Sequence, residues 1–205
     1  GNIFIGADYS ALEARVVAED ARCERLLSGF HDERDIHIDN MEISYGPSIW
    51  SLDGAPERDS DGNPIGKGKG DFYAARGITK NVFYAWQYRA GAKRIWEQLI
   101  SAENFDVSLP YKDRTVAQVR SLCRALEKGL PEIPVWWDRQ WRIWEHEGFV
   151  ADELWGRRRY FLSGAKPNDV VNHPVQSKGA SICHEAVFDL LGYDLPFETV
   201  RICDG

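Results

Sequence analysis

Residues 72–100 form the stretch that most restricts how this chain can fold. They contain no proline, and only Gly77 and Gly91 weaken an otherwise helical pattern, so the stretch reads as one long helix. Arg76, Lys80, Tyr84 and Tyr88 recur every four residues within it and therefore share a face. At 1.5 Å per residue that face extends about 18 Å, roughly a nucleoside triphosphate plus a stacked neighbouring base. Two cations followed by two aromatics is the order a phosphate-to-base ligand needs, with charge on the phosphates and rings on sugar and base. A solvated face whose tyrosines turn into the core is the other reading. The face carries no acid to pair with its cations, and both readings stand.

The remaining chain arranges itself around that helix. Residues 2–9 are an apolar run ending in a carboxylate, read as a buried strand. Ser10-Ala11-Leu12-Glu13 has the pattern of a capping box and predicts a helix from Ser10 to about Glu19. A second helix is expected over 34–44. Residues 53–70, rich in Gly, Pro, Asp and Lys, read as a long exposed loop. Residues 115–128 place Val116, Val119, Leu122, Cys123 and Leu126 on one helical face. Gly129 and Pro131 stop that helix, and Pro134 opens a tryptophan-dense one to Glu147. Trp136, Trp137, Trp141 and Trp144 recur at helical spacing and read as core. A hairpin around Gly156 is expected in 149–162, a helix over 179–191, and a strand over 197–203 that ends on Asp204.

With 43% hydrophobic and 28% charged residues over 205 positions, the chain can bury a core, and no run approaches the ~18–20 apolar residues of a membrane span. Cys23, Cys123, Cys183 and Cys203 are scattered without a CxxC pair and read as reduced thiols of an intracellular, cytoplasmic protein. A net charge of −7 argues against a simple nucleic-acid coat, but the charge is unevenly spread. Seven Lys and Arg stand against one Asp between residues 67 and 94, and five against one between 157 and 178. Such basic islands can hold phosphates on an acidic body.

Three further constellations could carry chemistry. Asp8 and Asp204 each follow an apolar strand, and two paired strands would bring them within reach of each other. Carboxylates so close repel unless divalent cations neutralise them, which is the requirement of two-metal phosphoryl transfer. On spacing alone, a turn or cap residue at a strand end is the better reading of each. Arg157, Arg158 and Arg159 lie at the hairpin turn, as phosphate contacts or as solvated charges. Asn172 and Gln176, flanking Pro174, are amides able to read base edges, and taken alone they look like loop residues. His146, His173 and His184 show no ligand spacing.

These residues resemble, in order, the motifs of family A DNA polymerases. Asp8-Tyr9-Ser10-Ala11-Leu12-Glu13-Ala14-Arg15 resembles motif A, DYSxxExR, and Arg34-Asp35-Ile36-His37 resembles the RDIH element after it. Arg76-x3-Lys80-x3-Tyr84-x3-Tyr88 resembles motif B. Gly156-Arg157-Arg158-Arg159 is similar to the GRRR turn, Asn172-x-Pro174-x-Gln176 to NxPxQ, and Cys203-Asp204 lies where motif C should fall. The resemblance implies an α+β right-hand fragment, with an antiparallel palm sheet and a mainly helical fingers subdomain. It implies template-directed DNA synthesis from dNTPs on a primer–template. Two Mg²⁺ ions would sit on Asp8, Asp204 and the Tyr9 carbonyl, and Arg76, Lys80 and His37 would grip the triphosphate, Lys80 serving the leaving pyrophosphate. Tyr84 would pack on the incoming nucleotide, Tyr88 beside the templating base, and Glu13 would exclude a ribose 2′-OH. Gln176, Asn172 and Arg157, Arg158 and Arg159 would contact DNA.

The same resemblance divides the chain into palm and the start of the fingers (1–50), a flexible loop (51–71), fingers (72–147) and a return to the palm ending within motif C (148–205). It marks departures as well. Cys203 and Gly205 flank the motif C Asp, Arg89 stands where the family has Gly, and Ser177-Lys178-Gly179 replaces a run of small residues. Tyr84 in place of Phe is similar to a phage-type branch. The altered motif C keeps a second reading open, a non-catalytic primer–template or nucleotide-binding relic. A related RNA polymerase is the third, against which Glu13 argues.

Overall fold

The computed structural model describes residues 7–101, 115–161 and 164–191. Eight α-helices dominate: α1 (Leu12–Ala21), α2 (Glu24–His31), α3 (Ile36–Tyr45), α4 (Gly70–Gln87), α5 (Ala92–Ser101), α6 (Val116–Gly129), α7 (Glu132–Glu147) and α8 (Pro167–Leu191). A 3-10 turn, Gly46–Ser51, follows α3. Between α7 and α8 an antiparallel hairpin pairs β1 (Phe149–Ala151) with β2 (Arg158–Tyr160), placing Phe149 opposite Tyr160 and Ala151 opposite Arg158. This hairpin is the whole sheet among the described residues, so the expected antiparallel palm sheet is represented there by two short strands. The expected strand over 2–9 lies mostly outside the described residues, and its last residues, 7–9, are irregular and exposed. The strand expected over 197–203 lies outside them.

Two local expectations change. Ser10 caps nothing: α1 begins after Ala11, which adopts φ 54° with no side-chain cap, and its first turn is tied instead by Arg15 Nε donating to the Ser10 carbonyl at 3.0 Å. The long helix over 72–100 is two helices. Tyr88 to Gly91 separate α4 from α5, with Arg89 left-handed at φ 59° and its N–H bonded to the Trp86 carbonyl at 2.7 Å. Arg89 is the residue that stands where the resembled family carries Gly, and its φ lies in the region that Gly enters without a Cβ penalty. By contrast, Thr115 and Gln118 do form a reciprocal capping box on α6, whose buried face is Val119, Leu122, Cys123 and Leu126.

The main core joins α1, α2 and α4 to α8 through residues such as Val17, Leu26, Phe83, Trp86, Leu126, Trp136 and Val175. Of the four tryptophans read as core, Trp136 and Trp137 are buried, and Trp137 Nε1 donates to the Gln87 carbonyl at 2.8 Å. Trp141 and Trp144 are half-buried and pack on each other at 4.7 Å. A second cluster, Ile38, Met41, Ile49, Phe72 and Ala75, packs α3 on the start of α4 and anchors the intervening loop. The loop closes at its base, where Lys69 N–H donates to the Gly54 carbonyl at 2.8 Å. Gly54 has φ +75°, and a Cβ there would sit 2.3 Å from the Lys69 carbonyl oxygen, so the closure requires glycine.

α8 starts twelve residues ahead of the expected helix and runs straight through the Asn172–Gln176 element, with Pro174 inside it. Asn172 and Gln176 are therefore helical, one turn apart on one face, and not in a loop. The next residue but one, Lys178, fixes the rotation of α8. Its ammonium reaches Asp20 Oδ1 at 2.6 Å and Glu19 Oε2 at 3.3 Å, both on α1. Burial pushes the Asp20 carboxyl up despite the ammonium beside it. Burial pulls Lys178 the other way, and its hydrogen bond to Asp20 outweighs that and holds it above the usual lysine value.

Lys178→Met strands the Asp20 charge in the core and is expected to cost about 3–5 kcal/mol in chemical denaturation. Lys178→Met with Asp20→Leu should recover most of that loss, since the uncompensated charge is gone.

Candidate nucleotide-binding face

α1, α4 and α8 converge on one polar cluster. Gln176 Nε2 donates to Glu13 Oε1 at 2.6 Å and to the Tyr88 hydroxyl at 3.0 Å, so residues 163 and 88 positions apart meet through a single amide. Burial pushes the Tyr88 phenol above its ordinary value, and the charge and hydrogen bond of Glu13 push the same way. Tyr84, one turn earlier, is raised by burial and then by the charges of Glu13 and Asp8, with Arg76 opposing. Asp8 itself is exposed at the approach to α1.

The cationic half of the face begins one turn further back. Lys80 is exposed, with its ammonium 5.9 Å from the centre of the Tyr84 ring. Arg76 is buried and, contrary to the expectation of a face free of acids, donates from Nε and Nη2 to Asp35 Oδ2 at 2.9 and 2.6 Å. The partner comes from the N-cap of α3, which shares no sequence neighbourhood with α4. His37, in the first turn of α3, packs its ring 5.6 Å from Tyr84 and 6.4 Å from Phe83. Its Nδ1 is buried with no hydrogen-bond partner. Burial drives its pKa down to about 4, helped by the charges of Arg76, Lys80 and Lys67 and opposed by Asp35. Lys67 belongs to the loop before α4, which therefore brings charge to this face.

The hairpin carries the arginine triplet. Arg158 stacks on Phe149 at 4.6 Å and Arg159 on Phe161 at 5.0 Å, an arrangement that leaves guanidinium edges able to donate outward. All three arginines are exposed. The turn is built on Asp152, whose buried carboxylate accepts from Trp155 N–H at 2.6 Å, Arg157 N–H at 3.3 Å and the Ser177 hydroxyl at 2.6 Å. Burial works to raise this carboxyl, and the hydrogen bonds outweigh it and hold the group below its ordinary value. His173 Nε2 donates to the Arg157 carbonyl at 3.2 Å, a second tie between hairpin and α8. Asn172 does not join the Glu13–Tyr88–Gln176 cluster, and its Oδ1 is buried without a partner.

Asp35, Asp152 and the Asp20–Lys178 pair are the organising residues that sequence reasoning passed over. Asp35 was readable as the N-cap of a helix, but its bond to a residue 41 positions on was not. Among the described residues no group of three His, Cys, Asp or Glu could hold a metal ion. Of the expected metal ligands, Asp8 and Tyr9 lie at the approach to α1 and Asp204 lies outside the described residues, so the donors in view do not complete a metal site. Among the described residues no helix is long and apolar enough to cross a membrane. Cys23, Cys123 and Cys183 are unpaired thiols.

No protein-family model matches the chain. The thermostable DNA polymerase I of Thermus aquaticus is 23% identical over 199 residues, 93% of this chain and 20% of that protein. DNA polymerase I of Aquifex aeolicus (strain VF5) is 23% identical over 188 residues, 91% of this chain and 28% of the relative. DNA polymerase I A, chloroplastic/mitochondrial, of Arabidopsis thaliana is 24% identical over 208 residues, 93% of this chain and 18% of the relative. Among solved structures, the POL domain of Pol1 from M. smegmatis, in complex with DNA primer-template and dNTP, superposes with a TM-score of 0.59 at 18% identity. That match covers 89% of this chain and 29% of the other. DNA polymerases I are thus distant homologues over most of this chain, and its fold corresponds to part of a polymerase domain. The chain spans between about a fifth and under a third of the length of these relatives.

His37 yields a pH prediction. In the unfolded chain the ring takes up a proton below about pH 6.5, whereas in the fold it stays neutral down to about 4. Its folded pKa is depressed, so its contribution is fully present above pH 6.5 and is lost as pH falls towards 4. Melting temperature followed across that window should fall less steeply in His37→Gln than in the parent. Parallel curves would contradict the assignment.

Proposed function

We propose that this chain forms the nucleotide-binding face and the adjoining palm of a template-directed DNA polymerase. The observation that carries the reading is the joining of Glu13, Tyr88 and Gln176 by one amide, with Tyr84, Lys80 and Arg76 following at successive turns along α4. Three separate motif matches thereby fall in one cluster, next to a cationic stripe suited to a polyphosphate. The distant homology to DNA polymerases I supports the same reading, as does the likeness to a domain solved with DNA primer-template and dNTP.

In this reading the primer 3′-oxygen attacks the α-phosphorus of a dNTP, a new P–O bond forms, and the α–β bond breaks to release pyrophosphate. His37, Arg76 and Lys80 grip the triphosphate, and Lys80 neutralises or protonates the departing pyrophosphate. Tyr84 packs on the incoming nucleotide and Tyr88 lies beside the templating base. Glu13, held by Gln176, occupies the space of a ribose 2′-OH. Gln176, Asn172 and Arg157, Arg158 and Arg159 contact the primer–template. Mg²⁺, held by Asp8, the Tyr9 carbonyl and Asp204, would supply charge neutralisation at the reacting phosphate. In this reading residues 1–50 form the motif A part of the palm and the start of the fingers, 51–71 a loop, 72–147 the fingers helices, and 148–205 the return to the palm. The phage-type assignment rests on Tyr84 and the cytoplasmic one on the reduced thiols. A nucleotide- or primer–template-binding relic is the second reading, motivated by Cys203 and Gly205 beside Asp204.

Primer extension by the full encoded polypeptide tests the assignment: Asp8→Ala should lower incorporation at least about a hundredfold, and equal signal from both would leave the relic reading. Glu13→Ala should raise the use of ribonucleotides relative to deoxynucleotides by about tenfold or more. Tyr84→Phe should reduce acceptance of dideoxynucleotides, because the parent hydroxyl weakens selection for a 3′-OH. Equal acceptance by parent and variant would remove that role.

A further inference from the structure

Asp35 touches two of the groups assigned above to the triphosphate, Arg76 directly and His37 through its backbone N–H. Its Oδ2 receives Arg76 Nε and Nη2 at 2.9 and 2.6 Å, while its Oδ1 receives the backbone N–H groups of His37 and Ile38 at 3.0 and 3.4 Å. A guanidinium has five N–H donors in a rigid plane, and gripping it along the Nε–Nη2 side fixes that plane while leaving the Nη1 end free to bind an anion. Nη1 makes no protein hydrogen bond among the described residues. The same carboxylate caps α3 and so sets where His37 stands, and both members of the ion pair are largely buried. Held this way, Arg76 does not search rotamers when a ligand arrives, and less ordering entropy is lost on binding. The Asp35 charge opposes an incoming phosphate less than a free carboxylate would, because the guanidinium and the positive end of α3 already offset it.

We propose that Asp35 is the positioning residue of this face, aligning Arg76 and the His37 turn together for a polyphosphate. The proposal rests on the nucleotide-binding reading and goes beyond it by naming what holds the two groups in register. Arg34, the preceding residue, has no part in it: its guanidinium is taken by Asp39 Oδ2 at 2.7 Å and the Ser28 hydroxyl at 3.1 Å.

Calorimetric titration of the chain with inorganic tripolyphosphate, and separately with dATP, tests it. Asn is as good an N-cap as Asp, so Asp35→Asn keeps the α3 cap while removing the charge that grips Arg76. The expected result is affinity for both ligands weakened about tenfold or more, measured below the melting temperature of the variant, which should fall because the Arg76 charge loses its partner. In an Arg76→Gln background the same Asp35→Asn change should alter affinity by less than about twofold, because Asp35 acts through Arg76. In primer extension the loss should fall more on KM for the nucleotide than on kcat. Unchanged or tighter binding by Asp35→Asn would overturn the proposal, showing the carboxylate to be a competitor or a cap only. An equal loss in the Arg76→Gln background would overturn it too. Failure of the parent to bind either ligand overturns the nucleotide-binding reading and this proposal with it. Binding without primer extension overturns only the polymerase assignment.

Discussion

The buried ion pair between Lys178 and Asp20 is the contact on which the geometry of the face depends. It joins the first helix to the last across 158 residues, inside a core that disfavours both charges. Such a pair contributes little net stability over an apolar substitute, since desolvation consumes most of the Coulomb attraction. What it supplies is a fixed relation between α1 and α8. Gln176 lies two residues before Lys178 and Glu13 six before Glu19, so fixing α8 against α1 brings the amide to the carboxylate. An apolar pair would pack as well and tolerate a small slide or rotation of one helix on the other. A hydrogen bond of 2.6 Å between charged groups tolerates much less.

The same logic recurs at two other aspartates. Asp152 gathers two backbone N–H groups of the hairpin turn and a hydroxyl from α8, and so sets the arginine-bearing strand beside that helix. Asp35 gathers two N–H groups of α3 and the guanidinium of α4. Each carboxylate has several donors from separate elements, so each acts as a joint between pieces that hydrophobic packing alone would leave free to shift. The phenols and imidazole of the face, Tyr84, Tyr88 and His37, are held in their neutral forms by burial and by their charged neighbours. The face therefore presents cations at one end and uncharged rings at the other.

Much of this was legible in the sequence because it depends on residues close together along the chain. The helical face of Val119, Leu122, Cys123 and Leu126, the long polar loop, the hairpin around Gly156 and the four-residue spacing of Arg76, Lys80 and Tyr84 all follow from local periodicity and turn chemistry. The errors have physical causes. Ser10 and Glu13 match a capping box in type and spacing, but Ala11 takes a left-handed conformation and displaces the helix start. The Tyr88–Gly91 break carries a single glycine as its local signal, since Arg89, an ordinary helix former, supplies the left-handed residue. Pro174 advertises a loop, yet α8 continues through it.

By itself the sequence determined the chemical inventory: which residue types could grip phosphate or read bases, in which order, and on which local elements. Those properties are set by side-chain chemistry and by short-range backbone preferences. Only the tertiary structure decided the partnerships, that Arg76 is held by Asp35, that Lys178 balances Asp20, and that Gln176 spans Glu13 and Tyr88. Such pairings arise when distant segments are brought together by burial of their apolar faces, and an enclosed charge or amide must then find its partner in whatever element lies opposite.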